Sequence, residues 1–189
     1  MPKSKDDTLR RFQNEGAARA HAIALLTEHF DLTEEVRASG PPDVSNYVFD
    51  AVTICPFSGY ILAWEFKRSH LFKSEFANVL RQAIYYRMAT IQDPRFPSEM
   101  RRRPDACIVF PSWDGLHDDG TLLYDLEASG MRLLASHFRV GVLVEVPKYA
   151  GISIAMGESA IWHSWAGWTQ NAHGILLGKR PLASRRALD

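Results

Sequence analysis

Three ionisable residues stand in or beside two apolar stretches of the chain. Asp50 lies within the run YVFDAVTI at 47–54, and Glu65 and Lys67 lie within and just after the run YILAWEF at 60–66. Carboxylates are hard oxygen ligands that prefer magnesium or manganese. A nearby ammonium group can neutralise charge that develops on a phosphate. The residue types therefore indicate metal-assisted hydrolysis of a phosphate ester.

The two stretches are rich in β-branched and aromatic residues and predict a β-hairpin. If Cys55 pairs with Tyr60 across the turn between them, Asp50 faces Glu65 with Cβ atoms about 5 Å apart. Side-chain alternation puts Lys67 on the same face as Glu65. The alternative is a structural ion pair at a sheet end. Three charged groups in apolar strands need partners, which favours the functional interpretation.

The remaining pattern predicts one α/β domain over residues 1–189, with a core at about 8–170 and a flexible tail at 178–189. Segment 31–42 carries acidic and turn residues and is expected to end the first helix. The order α, β, β, α, β, α, β predicts a central mixed sheet flanked by helices. The expected elements besides the hairpin are helices at 8–30, 70–91 and 121–137, the last interrupted by Gly130, and strands at 104–110 and 140–146.

The ordered motif residues resemble the PD-(D/E)xK nuclease superfamily. Asp50 is followed after fourteen residues by Glu65-Phe66-Lys67, and Gln82 and Tyr86 then form Gln-x-x-x-Tyr on the next predicted helix. That last motif is typical of the RecB-like branch. The resemblance covers residues 10–146 and implies a restriction-endonuclease-like αβββαβ core. It also implies a magnesium-dependent nuclease in which manganese substitutes.

The resemblance implies a role for each motif residue. Asp50, Glu65, Lys67 and Gln82 would be catalytic, with Gln82 contacting the metal-bound water or a carboxylate. Asp50 and Glu65 would hold the metal, and Tyr86 would contact the nucleic-acid strand. A buried Tyr in helix packing and a surface or capping Gln remain the structural alternative.

The family usually adds a glutamate from the first helix to the metal site. Helical phase favours Glu15, which lies near the inward stripe, over Glu28 on another face. An ion pair between Glu15 and Arg19 one turn later is the alternative. Asp43 competes with Asp50 as the motif acid, but its place at the strand entrance favours a turn role.

The chain has 22 basic and 22 acidic residues, so its formal charge is zero. Nine basic residues nevertheless stand against three acidic ones between Lys67 and Arg103. This segment predicts a cationic surface for a phosphate backbone, with Arg68, Lys73 and Arg81 as further nucleic-acid contacts. The predicted function is cleavage of DNA, as an exonuclease or endonuclease. The alternatives are an RNA-directed nuclease and a catalytically silent nucleic-acid-binding or protein-interaction module of the same fold.

Two cysteines cannot form a disulfide framework or a four-thiolate metal site in one chain. No apolar run reaches the length of a signal peptide or a membrane span. We therefore expect a cytoplasmic protein without a membrane partner. Trp162, Trp165 and Trp168 are expected to complete the core or a subunit interface, so a homo-oligomer remains open.

Overall fold

A computed structural model describes residues 14–40, 47–67, 73–110, 126–146, 149–164 and 177–178, without the side chains of 73–76 and 126–129. Three helices flank one sheet: α1 (Glu15–Thr27), α2 (Lys73–Met88) and α3 (Leu126–His137). The strands are β1 (Leu32–Ser39), β2 (Tyr47–Ile54), β3 (Ile61–Phe66), β4 (Thr90–Ile91), β5 (Ala106–Phe110), β6 (Val140–Val146), β7 (Gly151–Met156) and β8 (Ser159–His163). A short 3₁₀ turn at Ser98–Met100 precedes β5.

The eight strands form one mixed sheet in the order β4-β1-β2-β3-β5-β6-β7-β8. Strand β3 lies at the transition between two pairing modes, because it runs antiparallel to β2 and parallel to β5. Strands β5 and β6 are also parallel, so the carboxyl ends of β3, β5 and β6 lie at one edge of the sheet. The predicted mixed α/β architecture with flanking helices is confirmed.

Helices cover the sheet on both faces. Helix α1 buries Ala18, Ala22 and Leu26 in one apolar cluster, whereas α2 and α3 contribute to a second cluster on the other face. Strand β3 lies between the two clusters, and all six of its residues are buried. Any polar side chain on β3 is therefore removed from water.

The segment expected to end the first helix contains a strand. Helix α1 does end before it, at Thr27. Strand β1 occupies Leu32–Ser39 and pairs with β2 and β4, so the predicted element order, which had no strand here, was wrong. Its sequence, LTEEVRAS, is mostly polar, and within the strand only Val36 and Ala38 are buried. With β1 included, the observed order over this part of the chain is helix, three strands, helix, the two-residue strand β4 and then β5.

Other described boundaries differ from the predictions by two or three residues, at the ends of α1 and α2 and at the start of β5. The predicted helix starts at 8, 70 and 121 lie outside the described residues. Helix α3 continues through Gly130, whereas 140–146 forms a strand as predicted. Strands β7 and β8 were not predicted. Trp162 on β8 is buried against Phe30, with ring centroids 5.0 Å apart, and so belongs to the core. Trp165, Trp168, Asp43 and the predicted tail from 179 lie outside the described residues.

Within the described ranges, no helix combines the length and apolarity needed to cross a bilayer.

Candidate active site

The hairpin of β2 and β3 has the register that the sequence predicts. The N–H of Cys55 donates to the carbonyl of Tyr60 at 2.8 Å, and the ladder pairs Ala51 with Trp64. One further step along this register places Asp50 opposite Glu65. Both acids therefore lie where β3 reaches the carboxyl edge of the parallel strands.

Asp50 closes the end of the hairpin with its side chain. Its Oδ2 accepts the N–H of Phe66 at 2.7 Å, beyond the last paired residues of the ladder. Burial raises the pKa of the Asp50 carboxyl, while the Phe66 N–H and the positive charges of Lys67 and Arg19 oppose that rise. The negative charge of Glu15 adds to the rise. Asp50 is thus a half-buried carboxylate held by a main-chain donor.

Glu65 is the most deeply placed ionisable group of the site. Its relative exposure is 0%, and its Oε1 is paired with the Lys67 ammonium. Burial and the neighbouring Asp50 charge raise the pKa of Glu65 to about 7, although Lys67 and the Tyr86 hydroxyl oppose the shift. A carboxylate in this state is incompletely compensated and favours either a proton or a cation.

Lys67 supplies the positive charge beside the two acids. Its N–H donates to the carbonyl of Phe110 at 2.7 Å, which fixes its backbone against β5. Its ammonium forms an ion pair with Glu65 Oε1, as the alternation of strand side chains predicts. Burial would lower the pKa of Lys67, but the Glu65 carboxylate together with the charges of Glu15 and Asp50 outweighs it and raises the pKa. Lys67 is therefore positively charged at neutral pH, and 20% of its side chain reaches solvent.

Glu15 lies at the rim of this acidic site. It begins α1, and its Oε1 lies 4.0 Å from Lys67 Nζ, although 56% of its side chain is exposed. The competing prediction was an ion pair with Arg19. Arg19 instead forms ion pairs with Glu34 and Glu35 on β1, at 3.1 and 3.4 Å. Glu28, the other helix candidate, is 80% exposed.

Gln82 and Tyr86 face the site from α2. Tyr86 is 3% exposed, its ring packs edge-on against Phe49, and its hydroxyl donates to the carbonyl of Val48 at 2.8 Å. The hydroxyl also lies close enough to Glu65 for that charge to raise the pKa of Tyr86, after burial. Gln82 Nε2 donates to the same hydroxyl at 3.4 Å. The two residues thus form a polar layer on the α2 side of Glu65.

The predicted nucleic-acid contacts are only partly described. Arg81 is exposed on α2, with its guanidinium 5.8 Å from the ring centroid of Tyr85. Lys73 begins α2, but its side chain is not described, and Arg68 lies outside the described residues.

Two arginines of the cationic segment have acidic partners. Arg95 pairs with Asp93 at 2.7 Å, and Arg102 pairs with Asp105, just outside the segment, through two contacts of 2.8 Å. The guanidinium groups of Arg95 and Arg102 are therefore not free positive charges.

The donor set of the site fits a hard divalent cation. Among the described residues, no three His, Cys, Asp or Glu side chains are close enough to hold a metal together. Asp50 and Glu65 thus offer two carboxylates, and Glu15 lies further out. Magnesium commonly binds through one or two carboxylates while keeping several waters. The burial of Glu65 and the second carboxylate of Asp50 beside it are the observations that favour such an ion.

No family model, curated protein or solved structure matches this chain.

Arg19 lies next to the site, although the sequence did not mark it as a site residue. Its charge acts on Asp50, and its Nη2 lies 3.5 Å from the main-chain oxygen of that residue. Strand β1 brings Glu34 and Glu35 to the guanidinium and so holds Arg19 beside Asp50. Since β1 was not predicted, no sequence pattern pointed to this role.

Proposed function

We propose that this protein is a magnesium-dependent nuclease that hydrolyses phosphodiester bonds in DNA, with manganese as a substitute ion. The observation that carries the proposal is the buried Glu65 carboxylate, flanked by Asp50 and paired with Lys67 at the end of one hairpin. The αβββαβ element order and the Asp, Glu-x-Lys and Gln-x-x-x-Tyr motifs support a restriction-endonuclease-like core of the RecB-like branch.

Asp50 and Glu65 would hold the cation, with Glu15 at the outer edge. When bound, the ion would act as a Lewis acid that activates water and offsets charge on the phosphate. A structural ion pair would not need the second acid. Two acids and one base leave a net negative charge in a desolvated place, which is unfavourable unless a proton or a further cation is bound.

Lys67 has the properties of a phosphate-binding group. It is positively charged, its backbone is fixed by β5, and part of its side chain reaches solvent. Once the charge of Glu65 is compensated by another cation, the ammonium can turn from that carboxylate to a phosphate oxygen. There it would stabilise the additional negative charge of the transition state.

Gln82 and Tyr86 would keep this arrangement rigid. The Tyr86 hydroxyl ties α2 to the main chain of β2 at Val48, two residues before Asp50. Gln82 donates a hydrogen bond to the same hydroxyl and is half-buried. Its side chain would therefore be near enough to solvent to contact a water or a carboxylate. Tyr86 contributes chiefly by packing beneath Glu65, because only 3% of it is exposed.

The proposal is tested by incubating the protein with linear, circular and branched DNA, and with RNA, in Mg²⁺ or Mn²⁺. The wild type is compared with Asp50→Asn and Lys67→Ala, and Glu158→Gln in the exposed β7–β8 turn serves as a control. We expect metal-dependent DNA cleavage that the two site variants lose by at least about 100-fold. DNA binding, measured by fluorescence anisotropy, should largely survive.

Equal activity in all four proteins would reject the assignment. Cleavage of RNA but not of DNA would make RNA the substrate. Binding of DNA by the wild type with no cleavage under any metal would favour a catalytically silent module.

A further inference from the structure

The side chain of Arg19 connects three elements next to the acidic site. From α1, its Nη2 donates to Glu34 Oε2 at 3.1 Å and to Glu35 Oε1 at 3.4 Å, both on β1. The same nitrogen lies 3.5 Å from the main-chain oxygen of Asp50 on β2. Helix α1 and strands β1 and β2 thus meet at a single guanidinium.

The backbone is irregular at the place that Arg19 contacts. Residues two apart in a regular strand share a face, yet Phe49 packs in the α2-side cluster and Ala51 in the α1-side cluster. Across the ladder, Glu35 has a φ of 50°, a conformation that L side chains rarely adopt. The β1–β2 pairing also omits Glu35, passing from Glu34–Ala51 to Val36–Phe49. The irregularity is therefore centred on Asp50 and the residue that faces it.

A second arginine holds the same irregularity from its other side. Arg95 donates through Nη2 to the carbonyls of Glu34 and Glu35, both at 3.0 Å, and is anchored by Asp93. Arg95 therefore holds the main chain of the distorted segment. Arg19 holds its side chains and the main chain of Asp50. Such distortion persists only where surrounding contacts enforce it, and it is common near functional sites.

We propose that Arg19 is a positioning residue that fixes the backbone of Asp50 and so aims its carboxylate at the cation site. This inference rests on the proposed function and deepens it. Arg19 needs to touch neither metal nor DNA, because it acts through Asp50. The competing role is a clamp between α1 and the sheet that stabilises the fold without influencing the acids.

The first test needs neither metal nor DNA. The N–H of Phe66 reports on the orientation of the Asp50 carboxylate, because it donates to Oδ2 at 2.7 Å. In Arg19→Gln we expect amide hydrogen exchange at Phe66 to be about five- to tenfold faster, as for one weakened hydrogen bond. The control is Arg37→Gln, which removes the same charge from an exposed position on β1. It should leave Phe66 exchange at the wild-type rate.

The second test uses the cleavage reaction. Arg19→Gln should raise the Mg²⁺ concentration for half-maximal cleavage by about tenfold, while KM for DNA stays unchanged. Arg19→Lys keeps the charge, but its side chain is shorter and lacks the planar guanidinium, so it should fall between wild type and Arg19→Gln. If Arg19→Gln does not fold, Arg19→Lys is compared with wild type alone. Faster Phe66 exchange and a higher Mg²⁺ requirement in Arg19→Lys then support the positioning role.

If both Arg19 variants keep the wild-type rate of Phe66 amide exchange and the wild-type Mg²⁺ requirement, the positioning role is overturned. Loss of stability with no change in either reading would leave Arg19 as a structural clamp and would also overturn it. Absence of cleavage in the wild type would reject the nuclease function instead, while Phe66 exchange would still report on Arg19.

Discussion

Replacing Glu65 with glutamine removes a negative charge from the interior of the sheet while nearly preserving the shape of the side chain. Burial and the adjacent Asp50 raise the pKa of this carboxyl from 4.5 to about 7 in the folded protein. Between these values the folded state binds a proton that the unfolded state has released. Stability must therefore fall as the pH rises through this window, and remain low above it.

The size of the effect follows from the shift. One pKa unit corresponds to about 1.4 kcal/mol, so ionised Glu65 lowers the free energy of unfolding by about 3 kcal/mol at pH 8 relative to pH 4.5. Glutamine has no charge to bury and escapes this loss. It also leaves Lys67 without its carboxylate, but that cost is constant while the lysine stays protonated. The informative quantity is hence the pH dependence of the difference between the two proteins.

Urea unfolding in EDTA at several pH values between 4.5 and 8 measures this difference. The stability of Glu65→Gln relative to wild type should increase by about 3 kcal/mol across that range. Glu158→Gln, which removes an exposed glutamate, is the matched control. A difference for Glu65→Gln that does not change with pH would refute the reasoning, because Glu65 would then titrate as an ordinary surface acid.

Three further changes probe the rim, the α2 contact and the sheet. Glu15→Gln should weaken Mn²⁺ affinity, measured by calorimetry, by no more than about fivefold, because an exposed ion pair contributes about 1 kcal/mol or less; a 100-fold loss would make Glu15 a direct ligand. Tyr86→Phe removes the hydrogen bond to the Val48 carbonyl and should cost about 1 kcal/mol in urea unfolding; unchanged stability would contradict that bond. Gly141→Ala would place a Cβ 2.6 Å from the main-chain oxygen of Ala155, so we expect a loss of about 1–3 kcal/mol or more; a variant as stable as wild type would contradict the close pairing of β6 and β7.

The part of the site that could be predicted is the part set by local sequence. The β-branched runs and the four-residue turn define the hairpin register, and that register brings Asp50 to Glu65. The pairing of Lys67 with Glu65 follows from the alternation of side chains along β3. These relations extend over fewer than twenty residues and need no knowledge of the remaining fold.

The depth of Glu65 and the role of Arg19 could not be predicted in the same way. Glu65 loses all solvent contact because helices cover both faces of β3, and only the assembled sheet determines that coverage. Arg19 reaches its partners through β1, whose acidic sequence resembles a loop. The positive φ of Glu35 has no sequence signal either, since glycine or asparagine would be the usual residue there.

The claim that Asp50 and Glu65 together hold a divalent cation is tested most directly by anomalous diffraction from crystals of the protein grown or soaked with Mn²⁺. We predict an anomalous peak within about 2.0–2.4 Å of a carboxylate oxygen from each residue, with Lys67 displaced from Glu65. The peak should be absent in Asp50→Asn crystals treated in the same way. A wild-type map with no peak between these two carboxylates at saturating Mn²⁺ would contradict the account.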